Sequence, residues 1–315
     1  MPTSSCLPRL DPDDRLRCAL GALQRQGIPG AGRAAGTLAR LLEGYGREQR
    51  EWARSTLTAD GFPCELTFGS GAPCVRYAVE PAAASARLRR AACESLLARA
   101  GVPALPAVMR HRIDALQDGA ALAYGAWIGA SHDGAEDRYK LYVEVPVDGA
   151  DGAARAMLTD YLGHAAPHRR YRLRMLGCDP LAGTVELYFR SEDGLPPHLA
   201  PALLARLAGR QSAGFSLALG ADGRLAATSR YVFANRALGA DAQLRRRVLR
   251  HAARHGWHLS GYAEASAPTA TAAAEARHGL LAWITRFNGP GEVRLGLSPP
   301  RLPAQPFAAN PIMKE

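Results

Sequence analysis

Hydrophobic and polar residues alternate along ten short segments of the chain, and these segments come in pairs. Alternation with a period of two is typical of a β-strand that buries one face. A short turn joins the members of each pair, and an Ala- and Leu-rich stretch accompanies it. The chain is therefore predicted to repeat one helix–strand–strand unit five times. The predicted strands are residues 62–69, 74–81, 122–130, 138–146, 171–177, 183–190, 214–220, 225–233, 280–287 and 292–298.

Amphipathic helices are predicted between the strand pairs. An opening helix at 33–56 has apolar residues at helical spacing. These residues are Leu38, Leu41, Leu42, Tyr45 and Trp52. Further helices are predicted at 83–100, through 157–162, at 196–209 and at 240–256.

The two faces of each strand differ in chemistry. Within 138–146, Leu141 and Val143 lie on one face, and Lys140 and Tyr142 lie on the other. The aliphatic face is expected to pack on the helices, so the polar face points away from them. Hairpin-connected strands avoid exposed edges by closing into a barrel, and closure turns the polar faces into a lumen.

We therefore expect an α+β fold, a closed ten-strand antiparallel barrel with a solvent-filled lumen, ringed by helices. Residues 33–300 are expected to form this single domain, after an N-terminal extension (1–32) and before a C-terminal tail (301–315). An open antiparallel sheet with one face in water would explain the same alternation. It would not explain why the polar faces carry Lys, Tyr, Glu and Arg, so the closed barrel is favoured.

Composition excludes several classes of protein. The chain has 315 residues, of which 47% are hydrophobic and 22% charged, so it can bury a large core. No apolar run is long enough for a transmembrane helix, and the first residues lack the apolar region of a signal peptide. Six cysteines are scattered without a CxxC pair, which favours reduced thiols in a cytoplasmic protein.

A net charge of +10 raises the alternative of a non-catalytic nucleic-acid-binding module. However, only 7% of the residues are aromatic, and no helix-turn-helix or RNA-binding motif is present. Many basic residues fall on helix faces, as in 240–256, where solvation explains them. Others alternate inside strands, which favours a smaller anionic ligand in the lumen. His251 and His255 stand four residues apart on the Arg-rich helix and are interpreted as exposed residues, not metal ligands.

Two hairpins carry a specific resemblance. In FPCELTFGSGAPCVRYAVEP, Glu65 on the first strand and Arg76 on the second are eleven residues apart, and RYKLYVEV presents Lys140 and Tyr142. From residue 33 to 300 the chain resembles the ABBA, or prenyltransferase-barrel, family. The first hairpin is similar to that of indole prenyltransferases. The strands LGCDPLAGTVELYF and EVRLGLS, with the segment AWIT, resemble the shorter cyanobactin-type peptide prenyltransferases.

The sequence departs from the family at three positions. Glu186 stands where fungal members carry a basic residue, and Gly296 stands where the last strand usually carries Tyr. Ser229 replaces a basic or apolar residue two positions before Tyr231. Because Gly296 leaves room in the lumen, we expect a donor of ten carbons, or acceptance of both five and ten.

The resemblance implies transfer of a dimethylallyl or geranyl group from its diphosphate. Converging cations would stabilise the departing diphosphate, tyrosine faces would shield the allylic cation, and Glu65 would bind the acceptor and act as the catalytic base. The residues expected to bind the diphosphate are Arg76, Lys140, Arg294, Tyr142, Tyr188 and Tyr231. The residues expected to line the acceptor and prenyl pocket are Trp127, Trp283, Gly296 and Ser229.

Two acceptor classes follow from the resemblance. The first is a side chain of a ribosomally made, cyclic peptide, and the alternative is a small indole or phenol. No aspartate-rich DDxxD motif is present, so no obligatory cofactor is expected. The resemblance to peptide prenyltransferases, which can use Mg²⁺, leaves Mg²⁺ open as a cofactor. Neither nucleic acid nor a membrane is an expected partner.

Overall fold

A computed structural model describes residues 14–45, 55–147, 151–163, 171–191, 213–234, 240–267, 277–286 and 290–299. The predicted helix at 196–209, Trp52 and the tail at 301–315 lie outside the described residues.

Ten antiparallel strands close into one barrel, which confirms the predicted fold class. Each strand pairs with its neighbours in the chain, and the first strand pairs with the last. The strands are β1 (Cys64–Gly69), β2 (Val75–Val79), β3 (Ala126–His132), β4 (Asp137–Glu144), β5 (Tyr171–Asp179), β6 (Thr184–Ser191), β7 (Ala213–Leu219), β8 (Leu225–Phe233), β9 (His278–Arg286) and β10 (Glu292–Leu297).

The barrel has two unlike ends. At the hairpin end, each odd-numbered strand turns into the following even-numbered one, as β1 turns into β2 between Gly69 and Val75. At the helix end, the strand pairs connect to the helical layer. The depth of a side chain in the lumen can therefore be given by its distance from either end.

Seven helices occur among the described residues. They are α1 (Asp14–Arg25), α2 (Ala31–Leu41), α3 (Ala86–Arg99), α4 (Ala107–Gln117), α5 (Asp151–Leu162), α6 (Asp241–His255) and α7 (Tyr262–Ala265). No helix in the described part of the chain is both long and apolar enough to cross a membrane.

The hydrophobic core lies between the strands and the helices. Leu141, Val143 and Leu187 are fully buried on the outer faces of their strands, in one cluster with Leu16 and Leu20 of α1. Helix α1 lies within the segment predicted to be an extension, so the boundary expected at residue 33 does not separate it from the core. Burying the outer faces leaves the polar faces to line the lumen.

A buried chain of hydrogen bonds fixes the start of β9. The Asp241 carboxylate contacts His278 Nδ1 at 2.6 Å and accepts the backbone N–H of Arg277 at 2.8 Å. His278 Nε2 lies 2.8 Å from the Tyr262 hydroxyl. Because Asp241 and Tyr262 belong to α6 and α7, this chain ties the strand to the helical layer.

Candidate active site

The inward faces of the strands carry the predicted polar residues. Glu65, Arg76, Lys140 and Arg294 are only partly buried, whereas their neighbours along each strand lie in the core. This alternation places all four in the lumen, as the sequence pattern predicts. Tyr142 and Tyr188 have the same parity and lie with them.

Three arginines gather around one buried carboxylate near the hairpin end. Glu292 accepts hydrogen bonds from Arg294 at 2.9 and 3.0 Å and from Arg286 at 2.8 Å, and Arg76 lies 3.5 Å away. Burial alone would raise the pKa of Glu292, but the hydrogen bonds and charge of Arg294, with the charge of Arg76, lower it to about 2. Glu292 is therefore ionised and orients the arginines.

Sequence reasoning missed Glu292 and Arg286. Glu292 opens the strand EVRLGL two positions before Arg294, on the same face. That shared parity could have predicted the ion pair, because a carboxylate and an arginine two positions apart on one strand point into the lumen side by side. Arg286 ends β9 on the same inward parity as Ala282, which is the cross-strand partner of Arg294.

Lys140 also has a partner in the lumen. Its Nζ lies 2.8 Å from Glu186 Oε2, and the other oxygen of Glu186 accepts the hydroxyl of Ser216. Burial would raise the pKa of Glu186, but Lys140 lowers it to about 2, so the pair is ionic. The carboxylate that departs from the family pattern thus anchors the lysine. Ser229 supports it through Ser216, with the two hydroxyl oxygens 2.5 Å apart.

The cations form one electrostatic unit, which we call the cation cluster: Arg76, Lys140, Arg286 and Arg294. Burial lowers the pKa of Arg76 first, and the charges of Arg294 and Arg286 lower it further. Burial would lower the pKa of Lys140, but the charge and hydrogen bond of Glu186 raise it well above its usual value, and the charge of Arg294 opposes this rise only in part. Four cations face the two carboxylates Glu186 and Glu292, so two positive charges remain in excess.

Aromatic rings cover the lumen beside this cluster. Tyr142 and Tyr188 meet edge to face, with centroids 5.9 Å apart, and burial, with the charge of Glu186, raises the pKa of Tyr188 well above its usual value. Tyr231 lies 6.4 Å from Tyr188 by ring centroids. Its hydroxyl donates to the backbone oxygen of Phe189 at 2.8 Å. That hydroxyl is therefore engaged by the backbone, its predicted contact with a diphosphate stays a prediction, and the ring lies with the other tyrosines.

Glycines on both sides of β4 give Tyr142 and Lys140 their orientation. A Cβ atom on Gly129 would lie 2.6 Å from the Tyr142 ring, and one on Gly177 would lie 2.9 Å from Lys140 Cδ. The two long side chains therefore lie across the neighbouring strands β3 and β5. This arrangement places the Lys140 ammonium 5.8 Å from the Tyr142 ring centroid.

Glu65 lies toward the helix end, apart from the cation cluster. Burial raises the pKa of its carboxyl to about 8, and the charge of Asp60 adds to this shift, while a hydrogen bond from the backbone of Leu280 opposes it. The carboxyl covers Gly296, where an added Cβ atom would overlap its oxygens. The space predicted at Gly296 for a longer prenyl chain is therefore filled by Glu65.

The two predicted pocket tryptophans differ in position. Trp127 faces inward, donates its Nε1–H to Glu80 at 2.9 Å and stacks on Tyr124 at 4.1 Å. Trp283 lies on the outer face of β9, cross-strand from buried Val293. Its expected place in the lumen is therefore wrong.

Trp283 instead belongs to an aromatic cluster beneath the Arg-rich helix. Its ring centroid lies 5.4 Å from that of Trp257, which stacks on His255. His251 packs against both His255 and Trp257. In the part of the chain that the structure describes, no group of three His, Cys, Asp or Glu side chains is placed to hold a metal.

Known structures share this architecture. The 6-dimethylallyltryptophan synthase from Micromonospora olivasterospora, in complex with DMASPP and Trp, has 18% identity and a TM-score of 0.71, covering 91% of this chain and 97% of its own. The 5-dimethylallyl tryptophan synthase from Streptomyces coelicolor has 18% identity and a TM-score of 0.70, covering 94% and 97%. The apo prenyltransferase PriB has 21% identity and a TM-score of 0.69, covering 91% and 98%.

These similarities establish the prenyltransferase-barrel fold for the chain. No family model and no curated protein matches it.

Proposed function

We propose that the protein transfers a dimethylallyl group from its diphosphate to a small indole-containing acceptor. The observation that carries the proposal is the division of the lumen. A cation cluster with two excess charges lies near the hairpin end, and Glu65, a carboxyl with a pKa of about 8, lies toward the helix end. Tyr142 and Tyr188 lie beside the cation cluster.

The cation cluster suits the departing diphosphate. Each cation at about 4 Å contributes roughly 4 kcal/mol of attraction at an effective dielectric constant near 20, before desolvation. Glu292 and Glu186 hold the cations in place before the donor binds, so little reorganisation accompanies ionisation. In this proposal Arg76, Lys140 and Arg294 contact the diphosphate.

The tyrosine rings suit the allylic cation. Their faces are electron-rich and contribute about 1–2 kcal/mol each to a desolvated cation, without supplying a nucleophile as strong as water. Tyr142 already has the Lys140 ammonium near its ring. The rings would shield the carbon from water while the acceptor attacks.

Glu65 suits the acceptor. When ionised, its carboxylate can accept a hydrogen bond from an indole N–H. Because its pKa is raised to about 8, the carboxyl ionises near neutral pH. A base that titrates near the working pH is effective at removing the proton that aromatic substitution releases. The inward face of Trp127 offers a stacking surface.

The acceptor class rests on two further points. Solved structures of the same fold are named as dimethylallyltryptophan synthases, and some of them contain Trp, which supports the indole alternative over a peptide. Filling of the space at Gly296 by Glu65 removes the argument for a ten-carbon donor. The relatives favour a small indole and a five-carbon donor, and the filled space at Gly296 leaves no reason to expect a longer donor.

The test is an assay of the purified protein with dimethylallyl diphosphate and L-tryptophan, read by mass spectrometry. Parallel reactions replace the donor with geranyl diphosphate, or the acceptor with a phenol or a Trp-containing cyclic peptide. Each reaction is run with Mg²⁺ and with EDTA. We expect tryptophan or another free indole to gain one isoprene unit. Modification of the cyclic peptide alone would overturn the acceptor class, and no transfer from either donor to any acceptor would overturn the proposed function.

A further inference from the structure

Two glycines of neighbouring strands leave room for the Glu65 carboxyl. A Cβ atom on Gly279 of β9 or on Gly296 of β10 would overlap this carboxyl, and the three nearest atoms in each case all belong to Glu65. Neither glycine has a positive φ, so the backbone does not require glycine there. The missing side chains are explained by the space that Glu65 occupies. We call these two positions the Glu65 seat.

A β-bulge completes the seat. Leu295 of β10 pairs with Leu281 of β9, and Leu297 pairs with His278. One residue of β10, Gly296, therefore lies opposite two residues of β9, Gly279 and Leu280. Such a bulge disrupts the ladder locally; burial raises the pKa of Glu65, and the backbone of Leu280, which lies in the bulge, opposes this rise.

The start of β9 is held rigidly beside the seat. His278 immediately precedes Gly279 and is fully buried between Asp241 and Tyr262. The helical layer therefore holds the β9 backbone that lies under the Glu65 carboxyl. The cation cluster is not part of the Glu65 seat, because none of its atoms is among the three nearest neighbours of either glycine.

We propose that Gly279 and Gly296 are specificity-determining residues, because they set how far the Glu65 carboxyl projects into the lumen and so which acceptor atom faces the allylic carbon. This proposal rests on the proposed function. A methyl group at either position would push the carboxyl toward the substrate. A displacement of about 1 Å is enough to change rates by about 10²-fold and to favour a different ring carbon.

The experiment uses Gly279→Ala, Gly296→Ala and the control Gly36→Ala, whose added methyl group would meet nothing within 4 Å. Thermal unfolding first establishes that each variant is folded. The Kd of dimethylallyl thiolodiphosphate, the kcat and KM of the indole acceptor and the ratio of prenylated regioisomers are then measured. We expect both seat variants to keep the donor Kd within about twofold, to lose at least tenfold in acceptor kcat/KM, and to change the regioisomer ratio. The Gly36 variant should match the wild type.

A compensating variant separates the seat from general damage. Glu65→Asp withdraws the carboxyl, and the methyl group of Gly296→Ala fills the vacated space. If the two changes acted independently, their losses in acceptor kcat/KM would multiply. We expect the kcat/KM of the double variant to be at least tenfold higher than that multiplied value. Multiplicative effects, or an unchanged regioisomer ratio and acceptor KM in the folded single variants, would overturn the proposal.

An infrared titration distinguishes failure of the seat from failure of the proposed function. The protonated carboxyl band that Glu65→Gln removes should titrate at a lower pH in the seat variants, because their carboxyl is pushed out of its buried position. Absence of prenyl transfer by the wild type would overturn the proposed function. An unchanged titration midpoint would overturn the seat, whatever the activity.

Discussion

At the residue scale, Lys140 takes part in two interactions, an ion pair with Glu186 and the proposed contact with the donor diphosphate. Its ammonium neutralises Glu186 at 2.8 Å, and the proposed reaction also asks it to bind a diphosphate. Replacing it with Ala would leave Glu186 uncompensated in a half-enclosed lumen, which is itself unfavourable. The two effects must be separated before Lys140 can be assigned to the donor site.

We predict that Lys140→Ala and Arg76→Ala each lower turnover by about 10²-fold, through lost stabilisation of the departing diphosphate. Lys140→Ala combined with Glu186→Gln should not recover, because the neutral pair still lacks the cation. Steady-state kinetics with dimethylallyl diphosphate measures this, with exposed Arg246→Ala as a control for simple loss of charge. Recovery of wild-type turnover in the double variant would mean that Lys140 only neutralises Glu186.

Glu65 makes a second prediction, on the pH dependence of the reaction. Because the raised pKa of about 8 keeps the carboxyl largely protonated below that pH, the basic form increases as the pH rises. The kcat/KM for the acceptor should therefore rise about tenfold per pH unit below 8 and level off above it. Glu65→Gln should be slow and lack this limb, while the donor Kd changes little. If Glu65→Gln showed a rise of kcat/KM with the same midpoint, that rise would be caused by another group.

At the scale of the elements, alternation predicted the strands and most of the inward residues. Nine of the ten strands both begin and end within about two residues of the predicted bounds, and only β3 begins later, at Ala126; a period of two on a barrel forces polar residues to the lumen. Partners across strands were not predictable in the same way. Glu292 meets Arg76 only because β1 lies between β10 and β2 in the closed barrel.

The error at Trp283 also has a cause at this scale. Aromatic residues on a strand suit either face of this barrel, since both the lumen and the outer layer contain rings. In β9, Ala282 and Ile284 face inward as partners of Arg294 and Glu292. Because aliphatic faces were expected to pack on the helices, Ala282 and Ile284 pointed to the wrong face for Trp283, and only the cross-strand register with Arg294 and Glu292 places Trp283 outside.

Helix α1 gives the prediction that belongs to this scale. Leu20 is fully buried in the same core cluster as the outer faces of the strands. Leu20→Ala should lower the free energy of unfolding by about 2–5 kcal/mol, through lost burial and a cavity. Denaturant unfolding measures this, and Cys18→Ala on the exposed side of the same helix is the control. A change below about 1 kcal/mol would return α1 to the role of a loosely attached extension.

For the whole molecule, closure of the barrel brings groups with opposite pH behaviour into one lumen. Glu186 and Glu292 have pKa values of about 2, below that of an unfolded Glu, so they stabilise the fold above about pH 4 and this contribution is lost as the pH falls toward 2. Glu65 has a raised pKa, so the folded state binds its proton more tightly than the unfolded chain does. Its contribution opposes folding as the pH rises from about 4 to 8.

The last prediction follows from that sign. Glu65→Gln removes a carboxyl whose ionisation favours the unfolded chain, so the variant should melt at a higher temperature than the wild type at pH 8. The difference should shrink toward pH 4, where the carboxyl is protonated in both states of the wild-type protein. Calorimetry across this range measures it, with the exposed Glu264→Gln on α7 as the matched control. A Tm difference that is independent of pH would mean that Glu65 keeps an ordinary pKa, and the same result would remove the physical basis for its role as a base near neutral pH.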